Sequence, residues 1–266
     1  MDNNLKSITE AKNEIRRMFD EADGVTILAG AGMGVDAGIP DFRGKTGIWT
    51  EDKSVFMKFA TADAFDLHPI EAWNFYINRF ITYSRYEPHK GYTDLLNLNK
   101  DMFVVTSNVD GHFERAGFDT EKIVEIHGDL KTMQCSKFCC RETWAMPEWD
   151  EEIHQYSEIP KCPHCAAVLR PQVMMFNDPY FYYNKVDDQL ARYRAWEESK
   201  RNIVGIELGA GTSIPSIRIF GAERTQKLIR INPYDAEITR SQDISIPTTA
   251  VEGIEILFSI LKEQNE

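Results

Sequence analysis

The sequence predicts an α/β fold built on a doubly wound parallel sheet, with a second, smaller domain. Short apolar runs of four to six residues alternate along the 266-residue chain with segments of helical periodicity. A cluster of glycines follows the first of these runs, and all five cysteines lie between Cys135 and Cys165. The alternation predicts the sheet, the glycines predict a ligand-binding edge, and the cysteines predict the smaller domain.

The elements follow one another in a regular order. A helix is predicted over 8–22 from its apolar periodicity, and an amphipathic helix over 250–262. An aromatic-rich stretch over 53–86 has helical spacing and predicts a helical insertion that packs on itself. Between them, buried strands are predicted over 25–29, 103–106, 123–126, 203–208 and 228–231. Because ligands bind where parallel strands end, the loops after these strands are the candidate site.

Composition and charge narrow the possible functions. The formal net charge is −12, which argues against electrostatic binding of nucleic acid, since phosphate contacts need clustered Lys and Arg. The sequence has no apolar stretch of membrane-spanning length, so no membrane association is predicted. Residues 1–17 lack the apolar segment of an export signal, which predicts a cytoplasmic protein. Nothing in the sequence predicts the oligomeric state.

The cysteines are spaced as metal ligands. Cys162 and Cys165 form a Cys-x-x-Cys knuckle, and Cys135 pairs with either Cys139 or Cys140 to form a looser one. Four thiolates from two knuckles make a closed tetrahedral Zn²⁺ site, which is structural because no position is left for water. The alternative is a set of reduced, buried thiols.

Polar and glycine residues follow the predicted strands. Gly30, Ala31 and Gly32 would let a pyrophosphate approach the backbone, although such glycines also make ordinary tight turns. In the next loop, Asn108 and Asp110 can hydrogen-bond a carboxamide and a ribose, or simply cap a helix. His127 follows the third strand, where it can serve as a general base or be structural.

Taken together, these motifs resemble the sirtuin family over nearly the whole chain. The first sirtuin signature is matched by 30–32 and 38–43, the second by 106–117, and the catalytic pair by His127 and Gly128. The two cysteine pairs stand at the position of the sirtuin zinc ribbon. The resemblance implies a Rossmann-like NAD-binding domain (1–44, 90–131 and 168–266) and a small domain. That small domain comprises a helical insertion (45–89) and a zinc-ribbon module (132–167).

The resemblance implies an NAD-dependent protein-lysine deacylase. NAD is then a co-substrate, Zn²⁺ is structural, and an acyl-lysine protein or peptide is the partner. The acyl oxygen attacks the anomeric carbon, nicotinamide departs, His127 acts as general base through the ribose hydroxyls, and an acyl ester of ADP-ribose is released. Asn108 lies near the reactive ribose. The implied NAD contacts are Gly30, Ala31, Gly32, Asp41, Phe42, Arg43, Ser107, Asn108, Asp110, Gly211, Thr212, Ser213 and Asn232.

Some positions depart from the family pattern. Gly34 stands where Ser is usual, Ser107 where Gln is usual, and Phe113 where His is common. These changes resemble a divergent bacterial branch linked to macrodomain proteins, so the alternative function is protein ADP-ribosyl transfer or NAD hydrolysis. His127, which that branch lacks, favours deacylation. An NAD-sensing module without activity is a further alternative, against which Asn108, Asp110 and His127 argue. A zinc-stabilised reductase is another, for which the sequence offers no hydride-transfer residue or substrate domain.

The acyl group itself has one candidate determinant. Tyr76 and Arg79 resemble the Tyr-x-x-Arg pair of sirtuins that accept negatively charged acyl groups. The alternative is packing, because residues three apart on a helix are neighbours by geometry.

Overall fold

A computed structural model describes residues 8–40, 58–147 and 159–263. Its larger sheet has six parallel strands in the order β3-β2-β1-β7-β8-β9. These strands are β1 (Gly24–Ala29), β2 (Met102–Thr106), β3 (Ile123–Glu125), β7 (Ile203–Leu208), β8 (Lys227–Ile231) and β9 (Ile244–Ile246). The predicted strands and the predicted parallel sheet are confirmed, and β9 is an addition at the edge.

Helices cover both faces of this sheet. One face packs against α1 (Ile8–Glu21), α5 (Lys90–Leu96) and α9 (Ala250–Lys262), the other against α7 (Asn184–Glu198) and α8 (Ser216–Arg224). Strand β1 is buried along its whole length, as its predominantly apolar sequence predicts. Short helices α2 (Ala31–Val35) and α6 (His112–Arg115) follow β1 and β2. This architecture is doubly wound, and the strand ends converge on one edge.

The smaller sheet has three antiparallel strands in the order β5-β4-β6. They are β4 (Gly128–Cys135), β5 (Thr143–Ala145) and β6 (Leu169–Val173). The predicted boundaries at 131/132 and 167/168 differ from this arrangement. Strand β4 runs through the first boundary, and β6 begins beyond the second, so the small sheet takes residues from segments expected in the larger domain.

The helical insertion forms α3 (Ala64–Leu67) and α4 (Pro69–Ser84). It was expected to pack on itself, but its buried side chains share one core with the small sheet. Trp73 of α4 is fully buried there and donates its indole N–H to the carbonyl of Leu169 in β6 at 2.9 Å. The insertion and the sheet are thus joined by one apolar core, which stabilises both. Among the described residues, no helix combines the length and the apolar character needed to span a membrane.

Candidate active site and metal centre

The loops after β1 and β7 are packed backbone to backbone. The Gly30 N–H donates to the carbonyl of Leu208 at 2.9 Å, and the Gly32 N–H to that of Gly209 at 3.0 Å. A Cβ built on Gly32 would stand 2.6 Å from the Cα of Gly209, and one on Gly30 would stand 2.6 Å from the Cα of Ala210. The glycines are therefore required by the fold itself, and the same close packing brings the two loops together at the ligand edge.

The loop after β2 is tied to the first loop. Asn108 donates its side-chain N–H to the carbonyl of Gly30 at 3.0 Å, and its own backbone N–H is held by the Thr106 hydroxyl at 3.0 Å. The Ser107 N–H donates to the carbonyl of Ala29 at 3.1 Å. Asn108 is thus fixed at the junction of both loops.

The Asp110 side chain lies next to Gly34, in the segment that follows β1. Its carboxylate accepts the N–H of His112 at 2.9 Å. Its other oxygen would stand 3.2 Å from a Cβ on Gly34, so the position where Ser is usual faces this carboxylate directly. Burial raises the pKa of Asp110, although His112 and its N–H act in the opposite direction. Because Gly34 has no side chain, the buried Asp110 carboxylate lacks the neighbouring hydroxyl that Ser would supply at this position.

His127 stands between β3 and β4. Its carbonyl accepts the N–H of Met174 at 2.9 Å, which ties it to the chain beyond β6. Gly128 has φ of +77°, and a Cβ there would stand 1.9 Å from the carbonyl oxygen of Gln172, so only glycine fits. Burial lowers the pKa of His127, partly opposed by a hydrogen bond with the Ser107 backbone. The imidazole is therefore neutral near pH 7 and can accept a proton.

The loops after β7 and β8 form the far end of the edge. Thr212 and Ser213 are exposed, and no atom lies within 4 Å of a Cβ built on Gly211. Asn232 is buried; it donates to the carbonyl of Ala210 at 3.0 Å and accepts the N–H groups of Tyr234 and Asp235, each at 2.9 Å. These polar groups and this open space fit a dinucleotide. Asp41, Phe42 and Arg43, also predicted as NAD contacts, lie outside the described residues.

Four cysteine sulfur atoms come together in the small domain. The Sγ atoms of Cys135, Cys139, Cys162 and Cys165 all lie within 4.8 Å of one another. Two of their separations are 3.6 Å (Cys135–Cys165) and 3.5 Å (Cys139–Cys162). Zn–S bonds of about 2.3 Å in a tetrahedron place sulfur atoms about 3.8 Å apart, so this group fits Zn²⁺. The group contains Cys139 and not Cys140, the two alternatives that the sequence left open.

Tyr76 and Arg79 lie on α4 inside the core that the insertion shares with the small sheet. Their exposed fractions are only 2% and 6%. Arg79 donates to the Tyr83 hydroxyl at 2.6 Å, and its guanidinium carbon lies 5.8 Å from the centre of the Tyr76 ring. Burial raises the pKa of Tyr76 to about 12, so its phenol is neutral. The pair is brought together, well below the surface.

Two residues that the sequence did not single out also support the edge. His89 precedes α5; it accepts the N–H of Gly91 at 3.0 Å, and its other ring nitrogen lies 3.1 Å from the carbonyl oxygen of Met33 in α2. Arg218 of α8 donates to the carbonyl of Ala210 at 3.0 Å and also to that of Asp235. No local sequence motif surrounds His89 or Arg218. The position of His89 just before a helix was the one sequence feature that could have indicated a role, as a helix cap.

Comparison with known proteins gives a consistent result. The family model for the Sir2 family matches residues 30–204. An NAD-dependent protein deacylase of Thermococcus kodakarensis is 31% identical over 242 residues, covering 89% of this chain and 90% of that protein. An NAD-dependent protein deacylase of Aquifex aeolicus is 30% identical and covers 90% of this chain and 96% of its own length.

Solved structures agree in fold. A Sir2 homologue mutant bound to ADP-ribose aligns with a TM-score of 0.73 at 26% identity, covering 100% of this chain and 98% of that one. A Sir2 homologue in complex with NAD aligns with a TM-score of 0.70 at 25% identity, covering 96% and 95%. The chain therefore belongs to the Sir2 family, the family of the sirtuins.

Proposed function

We propose that this protein is an NAD-dependent protein-lysine deacylase. The observation that carries the proposal is a histidine, His127, that is kept neutral by burial at the strand-end edge that also holds Asn108 and Asp110. The relatives named as NAD-dependent protein deacylases support it, since the chain covers nine-tenths or more of their length.

Each residue has a role that its chemistry allows. NAD supplies an electrophilic ribose carbon and a leaving nicotinamide. Asp110 accepts from the carboxamide N–H, and Asn108, fixed on Gly30, orients the nearby ribose. His127 takes a proton from a ribose hydroxyl after nicotinamide has departed, which promotes transfer of the acyl group to ADP-ribose. The glycine-rich loop, Thr212, Ser213 and Asn232 bind the rest of the dinucleotide.

Zn²⁺ on the four cysteines has a structural role. Cys135 and Cys162 belong to the core that the insertion shares with the small sheet, so the metal would stabilise that core. Reduced thiolates are also consistent with a cytoplasmic protein, the location we propose.

We propose that the acyl preference depends on Tyr76 and Arg79. The buried Arg79 guanidinium lies 5.8 Å from the centre of the Tyr76 ring and would bind a carboxylate at the end of an acyl chain, because a charge-assisted hydrogen bond is strong away from water. We propose that acidic acyl groups are accepted alongside acetyl.

The test is a mass-spectrometric assay of the purified protein with NAD and acetyl-, succinyl- and longer acyl-lysine peptides. Acyl-ADP-ribose formed from one or more peptides is the expected result and identifies the acyl group. His127→Ala should abolish that product, yet retain NAD binding and exchange of labelled nicotinamide. Nicotinamide release by the wild-type protein without any peptide would instead indicate ADP-ribosyl transfer or NAD hydrolysis.

A further inference from the structure

Helix α7, on the face of the sheet away from α1 and α9, reaches the chain on both sides of His127. Lys185 in its first turn forms an ion pair with Glu125, Nζ to Oε2, at 3.0 Å. The same ammonium group forms a second ion pair with Asp129. Glu125 precedes His127 by two residues and Asp129 follows it by two. One cation therefore bridges the two ends of the short segment that carries the proposed base.

A second side chain of α7 holds the same segment. Gln189 lies four residues after Lys185 and hence on the same helical face. Its Oε1 accepts the backbone N–H of Glu125 at 3.0 Å. Gln189 is buried, with an exposed fraction of 4%. The helix thus fixes Glu125 through both its backbone and its carboxylate.

Asp129 is equally well held. Its side chain is fully buried, and Oδ1 accepts the N–H groups of Lys131 at 2.6 Å and Thr132 at 2.9 Å. The Thr132 hydroxyl donates in turn to Gln172 of β6 at 2.7 Å. Lys185 therefore connects α7 to a hydrogen-bonded network that begins immediately after His127 and Gly128.

We propose that Lys185, together with Gln189, is a positioning residue that holds His127 in place for proton transfer; the inference rests on the proposed function. Without the ammonium group, two carboxylates in a poorly solvated space repel each other and are drawn toward water. That movement opens the turn between them. A displacement of about 1 Å at a reacting group can lower a rate about 100-fold.

The step that His127 serves makes the inference testable. Nicotinamide departure and its reversal, measured as exchange with labelled nicotinamide, precede the proton transfer to His127. Loss of a positioning residue for His127 should slow deacylation and spare exchange. A residue that only stabilises the fold would lower both rates equally, through the amount of folded enzyme.

The experiment uses full-length Lys185→Met and Gln189→Leu with NAD and the best acyl-lysine peptide. We expect kcat for deacylation to fall about 10- to 100-fold, with exchange and the KM for NAD within about twofold of wild type. Lys185→Arg should restore most of the rate. The control is Arg192→Met, a cation on the same helix that binds Glu121 and neither Glu125 nor Asp129.

The possible results distinguish a failure of the positioning role from a failure of the proposed function. Equal losses in both steps, or unchanged deacylation in both variants, would overturn the positioning role. Should Lys185→Met fail to fold, Gln189→Leu decides, because it removes one acceptor and changes no charge. A wild-type protein that forms no acyl-ADP-ribose would overturn the proposed function, and the positioning role with it, before any variant is compared.

Discussion

Replacing Gly32 with Ala tests the contact between the loops after β1 and β7. The added Cβ would stand 2.6 Å from the Cα of Gly209 and 3.1 Å from its carbonyl oxygen. These are backbone atoms, so no side-chain rotation relieves the clash. Ordinary carbon contacts begin near 3.4 Å, so the two loops must separate by roughly 0.8 Å.

That separation has a cost that can be worked out. The hydrogen bond from the Gly32 N–H to the Gly209 carbonyl, now 3.0 Å, would lengthen beyond the useful range. Its loss costs about 1 kcal/mol, and forced overpacking adds about 1–2 kcal/mol. At about 2–4 °C per kcal/mol for a chain of this size, Tm should fall by roughly 4–12 °C.

The Gly32→Ala substitution should impair catalytic activity more strongly than it lowers folding stability. Asn108 is anchored on the Gly30 carbonyl of the displaced loop, so the proposed contact of Asn108 with the ribose would lose its alignment. We expect kcat/KM for NAD to fall about 100-fold. Thermal melts and steady-state kinetics at 25 °C, where the variant remains folded, measure the two effects separately. Gly211→Ala is the stability control, because its Cβ would meet no atom within 4 Å. A Gly32→Ala protein with unchanged Tm would refute the reasoning.

Other predictions concern the metal, the base and the acyl pocket. Cys139→Ser should lose bound zinc, measured as metal per chain, and unfold at lower temperature, whereas Cys140→Ser should retain one zinc, because only Cys139 joins the sulfur group. The pH profile of kcat should lose activity only below about pH 6.5, because burial lowers the pKa of His127 and the base works when neutral; a midpoint at or above 7 would contradict this. Arg79→Met should reduce succinyl-lysine turnover at least about 10-fold more than acetyl-lysine turnover in matched assays, and equal losses would indicate a packing role.

The parallel sheet was predictable because burial on both faces constrains the composition of its central strands. Strands β1 and β7 are buried on both faces, so each is a predominantly apolar run; Thr26 in β1 and Glu207 in β7 are the polar side chains within them. Glycine immediately after each of them then marks the point where the two loops meet. The candidate site residues were predicted in the loops after these strands for the same reason, because ligands bind at the carboxyl ends of parallel strands.

Long-range polar contacts were not predictable in this way. Lys185 is 56 residues from Asp129 in the sequence, and a lysine in the first turn of an exposed helix resembles any solvated charge. The cysteine spacing could not show whether Cys139 or Cys140 is the metal ligand. Adjacent cysteines differ only in the direction in which the backbone orients their side chains. The extent of the helical insertion's core was missed because helical periodicity shows which face is apolar and not what covers it.

The chain beyond β6 shows how a departure from the family pattern can preserve its geometry. Asn177 and Asp178 stand where sirtuins usually carry Gly and Glu. Asn177 has φ of +51°, the left-handed conformation that Gly takes freely and that Asn tolerates better than most residues. Asn177 therefore adopts a backbone conformation that is also open to glycine.

Asp178 then has an internal role. Its carboxylate pairs with Arg170 of β6 at 2.7 Å, and both side chains are almost fully buried, at 1% and 0% exposed. It also accepts the N–H of Tyr180 at 3.1 Å and that of Met175 at 3.3 Å, so it closes the turn around Asn177. Removing one partner of such a pair leaves a buried charge, which costs about 3–5 kcal/mol. Asp178 therefore stabilises the turn after β6 from inside the small domain, through a buried ion pair and two backbone hydrogen bonds.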